Sequence, residues 1–197
     1  MRHNELRDLE CNMLRTVCRD VRSEPKLIPV MGEQFNRSTI IDDEARLDIS
    51  ARDVWGRMDK AFFDVRITHP NAESMRNMPL SKIYEKHENE KKRSYNSRIV
   101  NIEKASFCPL VFTTHGGQAP ECQRFHKRLA ELTAIKKNES YPETIRYIRQ
   151  RLRFTILRTT LVAIRGYRKP KSTYNPRTVE NVDFNIANLY ILNDNDI

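Results

Sequence analysis

Leu6, Leu9, Met13, Leu14, Val17 and Val21 recur at helical spacing. That spacing gathers apolar side chains on one helical face and predicts an amphipathic first helix over about 3–21. The next run, EPKLIPV, is short and bordered by prolines, so it is expected to be an edge or irregular strand. GEQFNRSTIIDDE is polar and reads as a loop. Ala45, Leu47 and Ile49 then alternate with Arg46, Asp48 and Ser50, the period of a half-buried strand over 45–50. A turn around Gly56 leads into AFFDVRI, where Phe63, Val65 and Ile67 share one face and Phe62, Asp64 and Arg66 the other.

THPNAESMRNMP breaks the pattern with two prolines and two asparagines. A long charged helix is predicted over about 80–103, with Leu80, Ile83, Tyr84, His87, Lys91, Ser94, Tyr95 and Arg98 on one face. SFCPLVFTT reads as a buried strand running to Gly116–Gly117. Two further helices follow, PECQRFHKRLAELTAIKKN and YPETIRYIRQRLRFTILRTTLVAIRGYR, with Pro120 and Pro142 near their starts, where proline is tolerated. From Lys169 the chain is rich in Asn and Asp and is expected to be mostly loose, with at most a short ordered piece at FNIANLYIL. The order predicts an α/β fold: a small mixed sheet with flanking helices, occupying 1–168, followed by a polar tail over 169–197.

Composition narrows the function classes. The chain has 197 residues, 39% hydrophobic and 31% charged, enough for one sizeable domain. Its net charge of +9 favours polyanionic partners through counterion release, with a merely soluble basic surface as the plain alternative. Cys11, Cys18, Cys108 and Cys122 form no CxxC pair, which favours reduced core thiols and an intracellular protein, nuclear or cytoplasmic rather than secreted. No stretch approaches the roughly 18 apolar residues of a membrane span, and MRHNELRDLE does not read as a signal peptide.

The chemistry gathers around two acids. Asp48 and Asp64 on paired strands can offer hard oxygens to Mg²⁺ or Mn²⁺, which favour carboxylate ligands. Phosphodiester hydrolysis needs such an ion to neutralise charge and activate water. Arg66, two positions after Asp64, shares its face and suits phosphate. A solvated hairpin would show the same D…DxR pattern. Lys91 adds weight, because a lysine facing inward between His87 and Tyr95 needs carboxylates or phosphates as partners; a lysine at the stripe's margin would instead extend to water.

Several separated segments together carry a resemblance: RHNELRD, EPKL, DDEARLDISARDVWG, AFFDVRITHPN, YEKHENEKKRSYNSRIVNIEKASFCPLVFTTHGG and YIRQRLRFTILRTTLVAIRG. From about Arg2 to Gly166 the chain resembles the restriction-like endonuclease domains, of the PD-(D/E)XK class, found C-terminal to reverse transcriptases in animal non-LTR retrotransposons. The resemblance implies a metal-dependent DNA endonuclease whose nick would prime reverse transcription. It places the second acidic motif on Asp48 and the third on Asp64-Val65-Arg66. Glu5 falls where the class draws an auxiliary metal ligand from its first helix, although a solvated first-turn acid is an equal reading. Lys91 and Tyr95 match the assisting pair on the helix after the third motif. Asp48, Asp64 and Glu5 are thus the expected metal ligands, and Arg66, Lys91 and Tyr95 complete the catalytic set. Arg66 departs from the class's lysine; arginine clamps phosphate but does not act as a base, so Lys91 would have to supply that role. The resemblance also implies RNA or the parent element's reverse transcriptase as further partners, and a module detached from a longer polyprotein.

Clustered cations supply the expected DNA contacts: Arg93 and Arg98 in KRSYNSR, and Arg146, Arg149, Arg153 and Arg168 beside Tyr147, Phe154 and Tyr167. His3 reads as a DNA contact or a helix cap. His115, Cys122 and His126 lack a fourth ligand at useful spacing, which favours core or surface roles over zinc. Gly116–Gly117 is not followed by the lysine of a phosphate-binding loop. Two other readings remain open: a nucleic-acid-binding module that no longer cuts, and a domesticated interaction scaffold.

Overall fold

The computed structural model describes residues 2–29 and 45–166. The element order is α1 (Arg2–Arg15), β1 (Arg19–Ser23), β2 (Ile49–Arg52), β3 (Lys60–Thr68), α2 (Leu80–Asn101), β4 (Ser106–Thr113), α3 (Pro120–Lys137) and α4 (Tyr141–Gly166). These form the mixed α/β architecture the sequence predicts, a four-stranded sheet flanked by four helices. The unit that holds the sheet is Met1–Arg165. The tail expected over 169–197, including FNIANLYIL, lies outside the described residues, as do Tyr167 and Arg168.

The sheet order is β1-β2-β3-β4. β1 to β3 form an antiparallel meander, with Ile49 opposite Phe63 and Arg52 opposite Lys60. β4 returns parallel to β3 after α2 has crossed between them, pairing Ala61 with Ser106 through Thr68 with Thr113. A central strand of this kind is buried on both faces and reads as a nearly unbroken apolar run, which is what AFFDV supplies. Phe63 and Val65 join Leu6, Leu14, Phe125, Leu129, Ile148 and Leu152 on one side. Phe62 joins Leu27, Leu47, Ile99 and Phe107 in a smaller cluster. The Phe63 and Phe125 rings stack with centroids 4.7 Å apart, tying the central strand to α3.

Two boundaries differ from expectation. α1 ends at Arg15 rather than near 21, because Thr16 folds back through its hydroxyl onto the Met13 carbonyl (2.6 Å) and Asp20 takes a positive φ of 50°. Val17 and Val21 still pack on the main core, from a turn and from β1, so their helical spacing is coincidental. The strand expected at EPKLIPV reduces to a single bridge, Lys26 with Arg46, and the regular ladder of β2 begins only at Ile49. On α2, Ile83, Tyr84 and His87 are buried as predicted, whereas Leu80 is exposed at the helix's first residue and Ser94 faces solvent. Among the described residues no helix is long and apolar enough to cross a membrane.

Candidate active site

The β2–β3 ladder ends at the pair Ile49–Phe63, while β3 continues to Thr68 with β4 as its sole strand partner among the described residues. Among the described residues, the β2-facing edge of β3 therefore pairs with no strand from Asp64 onward. Asp48 stands at this point because its own carbonyl accepts the Glu24 N–H (2.8 Å), extending the β1–β2 pairing by one residue. Its side chain turns toward the open edge, where Oδ2 accepts the Val65 N–H at 2.6 Å. His3, from the first turn of α1, closes the arrangement: its Nε2 lies 3.0 Å from Asp48 Oδ2 and 3.1 Å from the Val65 carbonyl oxygen. The bond to Asp48 raises the His3 pKa above the ordinary imidazole value, against the opposing effect of burial.

One residue before Val65, Asp64 is buried, and Lys91 reaches it from α2 with Nζ 2.6 Å from Oδ2. His87, Lys91 and Tyr95 follow at four-residue steps, the spacing that keeps one helical face on the sheet. The two groups form an ion pair at Oδ2. Burial raises the Asp64 pKa; the Lys91 charge opposes that shift and the neighbouring Asp48 charge adds to it. Tyr95 completes the group, its ring packed on Phe107 at 5.8 Å with the Lys91 ammonium 5.7 Å from its centre. Its hydroxyl pKa is raised by burial first and then by Asp64.

Arg66 has a different partner. Its Nη1 lies 3.0 Å from Glu90 Oε1 on α2. Beside it the buried His87 shares a hydrogen bond with Thr68 (3.0 Å), and burial, followed by the charge of Arg66, lowers the His87 pKa. The cation at the third motif is thus matched by an acid that the sequence reading had not considered, and Lys91 is the cation that meets Asp64.

The other predicted residues divide. Glu5 is half-buried on the first turn of α1 and, among the described residues, forms no hydrogen bond or ion pair. The contact that α1 makes with the acids comes from His3 instead, because His3 and not Glu5 is turned to the open strand edge. Arg98 donates to the Ile28 carbonyl at 2.7 Å, holding the 27–29 segment on α2, so this predicted phosphate contact has a structural use. Arg93, Arg146, Arg149 and Arg153 are exposed, and Arg153 also packs over Gly116. Arg168 lies outside the described residues. His126 is buried with Glu10, Nε2 to Oε1 at 2.8 Å, and lies 3.6 Å from Cys122 Sγ, while His115 is exposed, so the Cys/His set is dispersed.

Among the described residues no three His, Cys, Asp or Glu side chains form a group that would hold a metal by themselves. The oxygen donors at the strand edge do fit a hard divalent cation. Asp48 offers its carboxylate, Val65 a backbone carbonyl, and Asp64 a buried carboxylate beside them. No protein-family model and no curated protein sequence matches the chain.

Proposed function

We propose that this chain is a divalent-metal-dependent DNA endonuclease of the PD-(D/E)XK class, of the restriction-like type carried by non-LTR retroelements. The observation that carries this reading is the Asp64–Lys91 ion pair next to Asp48, at the edge where the β2–β3 ladder ends. Three groups separated along the chain meet there although each costs something to desolvate, and structural stability alone is a weak reason to bury such a pair. The order helix, antiparallel meander, crossover helix and parallel strand supports the same class.

Asp48 and Asp64 are the residues that would hold Mg²⁺ or Mn²⁺, with the Val65 carbonyl beside them. When bound, the ion supplies charge neutralisation at the phosphate and a water acidic enough to attack it. Lys91, whose side chain keeps 20% of its exposure, orients that water or holds a non-bridging phosphate oxygen. Arg66 serves the phosphate, within the limits that Glu90 sets. The net charge of +9 and the exposed Arg146 and Arg149 supply sequence-independent attraction to the DNA backbone.

A binding module without cutting activity is the second reading, favoured by one observation: both cations nearest the acids are already paired, Lys91 with Asp64 and Arg66 with Glu90. A plasmid-nicking assay with Mn²⁺, Mg²⁺ or EDTA separates the two. The nuclease reading expects nicking that needs the metal and is abolished by Asp64→Asn, while gel shifts show DNA binding retained. Metal-independent nicking, equal in wild type and variant, would refute it. Binding without nicking under every condition would establish the second reading.

A further inference from the structure

We infer that α4 is one half of a heteromeric coiled coil, and that it pairs with an amphipathic helix of another protein whose apolar seam is flanked by acids. The outward face of α4 repeats every seven residues. Tyr147, Phe154 and Leu161 stand at one heptad position, and Gln150 and Leu157 follow the first two by three residues. These are the a and d positions of a coiled-coil seam. Ile145, Ile148, Leu152, Ile156 and Thr159 bury the opposite face of the helix, so α4 is fixed in the fold without using its seam. Phe154 is 70% exposed and Leu157 55%, with Tyr147 and Leu161 close behind. Large apolar side chains scattered singly over a surface are ordinary, but a continuous row of them on successive turns marks a contact face.

Charge selects the occupant. Five of the six arginines on α4 frame the seam, Arg151, Arg158 and Arg165 at the e positions and Arg146 and Arg153 at g. All five are exposed, and none has an acid partner among the described residues. Arg151 lies along the seam instead, donating to the Tyr147 hydroxyl at 2.7 Å. The e and g rows decide which helices pair. A second copy of α4 would set arginine against arginine in either orientation, which disfavours self-association. A partner with Glu or Asp in those rows would meet a cation on both sides of the seam without displacing an existing ion pair. Single-stranded nucleic acid could stack on Tyr147 and Phe154, but it would leave Leu157 and Leu161 against phosphates. A stripe one seam wide is also narrower than the apolar face with which a helix lies on a membrane.

The test titrates the full chain with a synthetic four-heptad peptide carrying Leu at a and d and Glu at e and g, read by calorimetry and circular dichroism. A scrambled peptide of the same composition, and so of the same charge, lacks the heptad and serves as the control. The expected result is one-to-one binding with a gain of helix, weakened by added salt, and about tenfold or more weaker for the scramble. Combining Phe154→Ser, Leu157→Ser and Leu161→Ser should weaken binding of the heptad peptide by about tenfold or more. No binding of the heptad peptide, or equal binding of the scramble, overturns the proposal. Peptide binding unchanged by the triple substitution overturns it too; if that variant instead loses affinity for a thymidine oligonucleotide or for phosphatidylserine vesicles, the face belongs to nucleic acid or lipid. A wild-type dimer in sedimentation velocity that the substitutions abolish overturns it in favour of a second copy. The comparison of the two peptides on the wild-type chain decides the matter even if the variant folds poorly.

Discussion

Replacing Lys91 with methionine removes the charge that faces Asp64 while keeping most of the side chain's bulk. Breaking a fully buried pair from one side costs roughly 3–5 kcal/mol. Lys91 retains 20% exposure, which admits some water and brings the expected loss to about 2–3 kcal/mol near pH 7. Asp64 has one escape: it can bind a proton, at a cost of about 1.4 kcal/mol for each unit by which the pH exceeds its ordinary value of 3.8. At pH 7 that route costs about 4 kcal/mol and is not taken; at pH 5 it caps the deficit at about 1.6 kcal/mol. The sign follows from the direction of the shift. An acid whose folded pKa is raised weakens folding above that pKa and recovers as the pH falls through it. Urea unfolding of wild type, Lys91→Met, Asp64→Asn and the double variant at both pH values measures the effect. The double variant should recover most of the loss, since no charge is then left without its partner. A Lys91→Met deficit that does not change with pH, or double-variant losses that simply add, would refute the ion pair as described.

Arg66→Ala should lower Mn²⁺-dependent nicking by no more than about tenfold, because Glu90 already shares the guanidinium, whereas Lys91→Ala should lose about 10²–10⁴-fold in single-turnover assays. The reverse ranking would return the catalytic role to the third motif. In the β2–β3 turn, Arg19 and the Met58 N–H hold the Asp53 carboxylate down at about 2. Its contribution to folding should therefore be present above 3.8 and fade as the pH falls toward 2, which a ¹³C carboxyl titration follows directly; Arg19→Gln should move that midpoint up toward the ordinary value.

The alternation in β3 and the inward stripe of α2 were legible in the sequence because both follow from one repeat per element. They left two places open for Lys91, inward against the Asp48/Asp64 face or out to water; the structure pairs it with Asp64. The pairing of Arg66 with Glu90 was not legible, since Glu90 lies off the apolar stripe and nothing local marks it as a partner. The contacts of His3 leave no mark in the sequence because its partners are 45 and 62 residues away, and a side chain bridging a carboxylate and a backbone carbonyl leaves no periodic trace. The end of α1 is hidden for the opposite reason: Val17 and Val21 obey the helical repeat by accident while packing from a turn and a strand.

Glu10 and His126, 0% and 1% exposed, pin α1 to α3 deep in the core. Glu10 lies seven residues after His3, two turns along the same face of one rigid rod. The strand edge is thereby aligned from the protein's interior as well as at the surface. A substitution at Glu10 would tilt that rod and act like damage to the reactive groups, although the residue never meets a phosphate.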